Sequence, residues 1–486
     1  MGNNLSVTIV SSEVEPYAKT GGLADVVGSL PIALKNAGVD VRIVMPRYRV
    51  IDIDKYHLKK EQILEVPISS RLEPCTVYSA VHNNNIPIYF IDQPSYFDRD
   101  ELYCSKSGDY PDNAERFIFF MRAVLELLIA MNLKTDIIHT NDWQTALIPV
   151  YLKTLYRDEP FYKKTASVFT IHNLAFQGIF WHYDLHYTGL QWDIFTYDKL
   201  EFYGKLNFLK GAIVFSDIIN TVSKTYANEI QTPNRGCGLD TLLKYHHNKL
   251  YGIINAIDTE KWNPENDPYL TEKYSINNLE GKTKCKEFLL NKLGLKDKSL
   301  PLLGLIGRLT EQKGIDLVLE SLPVFLENDK IQFVLLGTGE IKYHELFRKL
   351  KQRFPDNVSI NLGFNKEMAH LIEGGADIYL MPSLFEPCGL NQLMSLRYGT
   401  VPIVRLTGGL ADTVSEYSGE LANGNGFFFK EPKPSALQGA ITKALNYYHQ
   451  PDKWKQIITN GMKGDYSWKL SALNYIKLYN KALSQI

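Results

Sequence analysis

The chain has 486 residues, 45% of them hydrophobic and 22% charged, with 53 basic against 54 acidic side chains. That length exceeds what one hydrophobic core organises, so at least two domains are expected, and the near-neutral balance excludes a general nucleic-acid binder or a protein held to acidic membranes by bulk charge. Five scattered cysteines without a CxxC pair argue against a disulfide framework or a structural zinc site, no apolar run reaches spanning length, and "MGNNLSVTIV" lacks the features of a secretion signal, so a soluble, cytoplasmic protein is expected.

Along the chain, "SVTIV" (6–10) reads as a first strand, followed by the turn "SSEVEPYAKTGG" (11–22) and a helix striped by Leu23, Val26, Val27 and Leu30. Glycines at a helix start, here Gly21 and Gly22, let a ligand approach the backbone, where unpaired N–H groups favour a phosphate. Lys19 adds a positive charge at the same point, although a plain chain reversal would use the same glycines. Further strands are expected at 39–46, 86–92, 136–140, 166–172 and 217–223, with an amphipathic helix over 113–131. Asp142 and His172 stand just past two strand ends. Each suits an ordinary capping or core role, and the two together on one rim suit sugar-hydroxyl recognition.

The segment 251–275, rich in Asn, Asp and Pro, reads as a hinge between two domains, 1–255 and 256–466, with a C-terminal helix over 467–486 that can pack back on the first. A second series of strands is expected at 302–308, 331–337, 358–363, 377–382 and 401–405. Strands alternating with helices imply an α/β protein of two Rossmann-like, doubly wound domains, whose strand carboxyl ends face each other across a cleft. Arg308 and Lys313, at the end of one strand and the start of the next helix, suit a diphosphate: Arg offers a planar fork and Lys a mobile point charge. Glu386 lies in the turn "EPCGL", where it can accept sugar hydroxyls or merely cap a helix, and Cys388, Gly389 and Leu390 can present backbone N–H groups.

The stretch "TGGLADVV" (20–27) returns as "TGGLADTV" (407–414), so Thr407, Gly408 and Gly409 repeat the first glycine turn, with Leu406 in place of Lys19. The stretch "LLGTGE" (335–340) is half of a dinucleotide fingerprint and weak support for a nicotinamide enzyme. HExxH, P-loop and GxSxG patterns do not occur, leaving metal and serine-hydrolase chemistry without support.

These motifs, in order from residue 11 to residue 414, resemble the bacterial glycogen synthase and plant starch synthase family. The resemblance implies retaining glucosyltransferases of the GT-B fold, which move glucose from ADP-glucose, in preference to UDP-glucose, to the non-reducing end of an α-1,4-glucan in glycogen biosynthesis, without metal or cofactor. It implies that Lys19, Gly21 and Gly22 face the donor phosphates, and that Arg308 and Lys313 neutralise the departing diphosphate. His172 would lie beside the donor glucose with its carbonyl near the sugar, and Glu386 with Cys388–Leu390 would hold the glucose hydroxyls. Asp142 would stand near sugar and acceptor, Asn255 would make another glucose-side contact, and Thr407–Gly409 would line the donor pocket. The family's His-Asp-Trp-His reads Asn141-Asp142-Trp143-Gln144 here, Ala256 replaces a hinge glycine, and Met394 stands where a second carboxylate is common. Glucan phosphorylase, which needs pyridoxal phosphate and a much longer chain, is the nearest enzymatic rival; a non-catalytic glucan or nucleotide binder is the other.

Overall fold

A computed structural model describes residues 5–105, 108–295, 297, 299–419 and 423–486. The chain forms two compact units: residues 1–255 with 468–486, and residues 256–467.

The first unit is built on strands β1 (Ser6–Val10), β2 (Asp40–Pro46), β3 (Lys59–Ile68), β4 (Arg71–His82), β5 (Ile86–Asp92), β6 (Ile137–Asn141), β7 (Ala166–Ile171), β8 (Ile218–Thr221) and β9 (Leu250–Gly252). Their order is β9-β8-β7-β6-β1-β2-β5-β4-β3, with every neighbouring pair parallel except the antiparallel pairs β5–β4 and β4–β3. The chain winds outward in one direction from β1 through β2 and in the other from β6, so the β1/β6 boundary is a topological switch point. Val7, Ile9 and Val10 are fully buried, as befits a parallel strand covered on both faces. Helix α1 (Gly22–Asn36) and the helix Asn113–Ala130 pack against this sheet.

The C-terminal helix Trp468–Leu483 also belongs to this unit. Its Tyr479 hydroxyl meets His139 Nδ1 at 2.9 Å, its Tyr475 hydroxyl accepts from Asn220 at 3.1 Å, and Ser471 donates to the Ile254 carbonyl at 2.8 Å.

The second unit holds β10 (Leu302–Leu309), β11 (Gln332–Gly339), β12 (Val358–Leu362), β13 (Ile378–Met381), β14 (Val401–Arg405) and β15 (Phe427–Phe429) in the fully parallel order β12-β11-β10-β13-β14-β15. Its switch point lies between β10 and β13. Leu303, Leu305, Phe333, Leu335, Ile378, Leu380 and Ile403 are among the strand residues that build one core.

The continuous apolar runs all become strands, with ends moved by a residue or two. Five features lie outside those expectations: the hairpin β3–β4, the edge strands β9 and β15, an antiparallel ribbon of Ile179–Trp181, Lys205–Asn207 and Glu201–Phe202, and the short antiparallel pair of Cys104–Ser105 with Gly108–Asp109. The outer strand β3 alternates charged exposed positions with buried ones, so it never shows the unbroken apolar run that marks a central strand. The "GTG" of 337–339 also differs from a dinucleotide turn, since both glycines lie inside β11. Cβ atoms there would come within 2.2 Å of the Gly307 carbonyl oxygen and 2.3 Å of that of Leu309, so the glycines serve close strand packing. Among the described residues, no helix is long and apolar enough to cross a membrane.

Candidate functional site

In the first unit the expected residues gather after β1, β6 and β7, adjacent strands at the switch point. Asp142 comes directly after β6 with φ 56° and ψ −177°, a conformation that costs a non-glycine residue on the order of 1–3 kcal/mol. Its Oδ1 accepts the His172 backbone N–H at 2.7 Å, so the strained turn is tied to the end of β7. Burial pushes the Asp142 carboxyl up to about 7; the N–H groups of His172 and Asn173 oppose the rise, and the carboxylate of Glu13 adds to it.

The His172 ring meets Asn141 Oδ1 through Nε2 at 2.9 Å, while Asn141 Nδ2 donates to the Val10 carbonyl at 3.1 Å. That second bond orients the amide, so Nε2 of His172 carries the proton and Nδ1 is the acceptor. Burial lowers the His172 pKa to about 3, which keeps the ring neutral at ordinary pH. Asn141, one of the departures from the family pattern, thus ties β1 to His172. Gln144, another departure, has a buried Oε1 with no hydrogen-bond partner among the described residues.

Lys19 is exposed and donates to Asp25 at 2.6 Å. Gly21 forms the N-cap of α1, but its N–H lies 3.2 Å from Glu13 Oε2, so the helix start already holds an internal carboxylate. Asn255 ends this unit's first segment, lies just past the edge strand β9, and is buried with its Oδ1 unpartnered among the described residues.

The second unit gathers its residues after β10, β13 and β14, again around the switch point. Arg308, near the end of β10, is exposed, and among the described residues its guanidinium makes no hydrogen bond or ion pair, while its backbone carbonyl accepts the Thr310 N–H. Lys313 closes a short turn before Gly314, whose φ of 67° and close approach to the Pro382 carbonyl, 2.2 Å from a Cβ there, exclude a side chain. This brings Lys313 Nζ to 2.6 Å from Glu386 Oε2, which also accepts from Ser383 Oγ at 2.9 Å. The buried Arg405 guanidinium braces the same turn by donating to the carbonyls of Ser383 and Leu384. Both partners hold the same oxygen, Oε2, and so fix the orientation of the Glu386 carboxylate.

The second glycine repeat differs from the first. Helix α2 (Gly408–Thr413) is six residues long, and the Gly409 N–H is directed at the carbonyls of Glu386 and Pro387, at 3.2 and 3.1 Å. Cβ atoms on Gly408 and Gly409 would lie 1.9 Å from the Glu386 carbonyl oxygen and 2.2 Å from that of Cys388. Thr407–Gly409 thus clasp the Glu386–Cys388 turn through backbone contact. Gly389 has φ 74°, and Leu390 is the N-cap of the helix Asn391–Arg397.

Sequence reasoning passed over Glu13, Ser383, Arg405 and Phe364. Phe364 lies just past β12 at the carboxyl edge of the same sheet and is 88% exposed, a free ring able to stack on a flat base. An aromatic just past a strand was the available signal. Among the described residues, no group of three or more His, Cys, Asp or Glu is arranged to hold a metal ion.

Residues 6–245 match the model of the starch synthase catalytic domain, and residues 287–461 that of glycosyl transferases group 1. The glycogen synthase of Thermosipho melanesiensis is 47% identical over 485 residues, covering 99% of this chain and 100% of that protein. The glycogen synthase of Thermotoga maritima is 48% identical over 490 residues, with the same coverage. The solved catalytic domain of starch synthase IV from Arabidopsis thaliana, bound to ADP and acarbose, is 35% identical with a TM-score of 0.91, covering 99% of this chain and 100% of that one. With its two parallel-sheet units matching that GT-B structure, this chain belongs to the glycogen synthase and starch synthase family of glycosyltransferases.

Proposed function

We propose that the protein transfers glucose from ADP-glucose to the non-reducing end of an α-1,4-glucan with retention of configuration, and does so in the cytoplasm. The observation that carries this reading is the free, exposed Arg308 guanidinium on the same sheet edge as the oriented Lys313–Glu386 pair. The ADP and acarbose bound by the starch synthase IV structure support a nucleoside diphosphate leaving group and a glucan-like ligand. That no disulfide joins the five cysteines among the described residues supports a reducing compartment.

As the bond to the diphosphate breaks, the sugar gains positive charge and the leaving group negative charge. Arg308 and Lys313 stabilise the leaving group, with Lys19 as a further cation. Glu386 orients the glucose by accepting its hydroxyls, and the Lys313 ammonium, paired with Glu386 in the free protein, turns to the phosphate when the donor enters. His172, held neutral, offers its backbone carbonyl to the electron-poor anomeric carbon. Asp142, poised near neutrality, lies beside the sugar and the incoming acceptor hydroxyl, which attacks from the face the diphosphate leaves and gives its proton to the departing diphosphate oxygen on that face. Phe364 stacks on the base, and the larger surface of adenine favours ADP-glucose over UDP-glucose.

Initial rates of transfer to glycogen with each nucleotide sugar test this. ADP-glucose is expected to give the higher kcat/KM. Arg308→Ala and Lys313→Ala should each reduce turnover by roughly 10²-fold or more with little change in thermal stability. Turnover near wild type in both variants overturns the assignment of the leaving-group cations.

A further inference from the structure

Glu13 has no part in the transfer reaction as proposed, yet its carboxylate is bonded into the loop that carries Lys19. It is 4% exposed, and both of its oxygens are engaged. Oε2 accepts the backbone N–H groups of Thr20 and Gly21 at 2.5 and 3.2 Å, and Oε1 accepts the hydroxyls of Thr20 and Tyr103 at 2.6 and 2.8 Å. The Glu13 backbone is itself fixed, since the Ser11 hydroxyl donates to its carbonyl at 2.7 Å. Val14 and Ala18 then exchange backbone hydrogen bonds and close the loop between Glu13 and Thr20. Thr20, bound at both its backbone and its side chain, is the residue next to Lys19.

A helix start is a place where a phosphate would ordinarily be received. Here the partial positive charge of the fifteen-residue α1 is met by a carboxylate of the protein's own chain. A donor phosphate brought to the same N–H groups would have to displace a charge-assisted set of bonds and would meet like charge.

We propose that Glu13 is a positioning residue for the donor. Its carboxylate closes the 13–20 loop onto the start of α1 and so aims Lys19, and the phosphates are recognised by the Lys19 ammonium rather than by the Gly21 N–H. This rests on the reading of the site as one for a nucleotide-sugar donor. The alternative, that Glu13 only caps α1 and adds stability, makes a different prediction for kinetics.

The test is a double-mutant cycle on donor binding: donor and acceptor KM and kcat, with ADP affinity by calorimetry, for wild type, Glu13→Ala, Glu13→Gln, Lys19→Ala and Glu13→Ala/Lys19→Ala. Loss of several charge-assisted hydrogen bonds should raise the donor KM of Glu13→Ala roughly tenfold or more while the glucan KM stays within about twofold. Glu13→Gln keeps an acceptor for the N–H groups and donors for the two hydroxyl oxygens, so it should stay within roughly threefold of wild type. The double variant should bind donor no more weakly than Lys19→Ala alone.

Effects that multiply in the double variant overturn the proposal, as does a Glu13→Ala donor KM unchanged from wild type. So does a Gln variant as impaired as the Ala variant, or one that binds donor more tightly than wild type, which would mark Glu13 as an electrostatic obstacle. Should Glu13→Ala fail to fold, Tyr103→Phe removes one of the four bonds; a smaller rise in donor KM that does not multiply with Lys19→Ala supports the proposal, and one that does overturns it. A wild-type protein that binds ADP without transferring glucose overturns the transferase reading alone, and the same ordering of ADP affinities still decides the role of Glu13.

Discussion

In the proposed reaction, Asp142 sets activity against stability. A carboxyl at about 7 in the folded protein and 3.8 in the unfolded chain keeps its proton in the folded state while the unfolded state has lost it. Stability therefore falls as pH rises from about 4 to about 7, and the full cost, at most about 4 kcal/mol, is present above that window. Asp142→Asn removes the cost. It is expected to melt above wild type at pH 8, with the margin shrinking towards pH 5, while transfer falls by roughly 10²-fold or more. Differential scanning calorimetry at the two pH values, beside initial rates, checks both halves. The sequence puts Asp142 and His172 past two strand ends, but the positive φ, the burial and the bond to the His172 N–H come from packing between strands that are distant in the chain.

The two glycine repeats separate at the scale of elements. Their shared letters correctly announce a helix start after a parallel strand in each unit, because that local geometry needs only the glycines and the apolar stripe. The helices they open are unlike: α1 runs fifteen residues, whereas α2 ends after six and presses its first turn against the Glu386–Cys388 turn. Gly21 and Gly408 occupy the same place in the repeat, yet a Cβ on Gly21 meets no atom within 4 Å, while one on Gly408, at φ 45°, meets the Glu386 carbonyl oxygen at 1.9 Å. Gly21→Ala is thus expected to melt like wild type, and Gly408→Ala to lose about 2–4 kcal/mol, read as a lower denaturant midpoint. Phe364, at the end of β12, gives a further test at this scale: Phe364→Ala should raise the donor KM by roughly tenfold, the loss of one stacked base, and leave the glucan KM alone.

For the whole molecule, the chain's last helix completes the unit that its first strand begins. Truncation after residue 467 would strip His139 and Asn220 of the hydroxyls of Tyr479 and Tyr475 and uncover one face of the first unit's sheet. It is expected to give aggregated protein, whereas Tyr479→Phe should fold and lose about 1 kcal/mol in urea unfolding. Burial lowers the pKa of both His139 and His172 to about 3, against 6.5 in the unfolded chain. The unfolded state therefore binds more protons between those values, and the stability these rings contribute, complete above about pH 6.5, is lost as pH falls towards 3.

By itself the sequence determined the alternation of strand and helix, the two series of parallel strands and the strand-end loops that carry the candidate residues, because each depends on local period, on glycine or on charge at a strand end. Only the tertiary structure decided what those loops are bound to: Glu13 at the start of α1, Lys313 on Glu386, Gly409 on the Glu386 turn, and the last helix on the first sheet. The physical reason is that hydrogen-bond partners are assigned by which strands become neighbours. Strand order is fixed by burying both faces of a whole sheet at once, which no window of sequence contains.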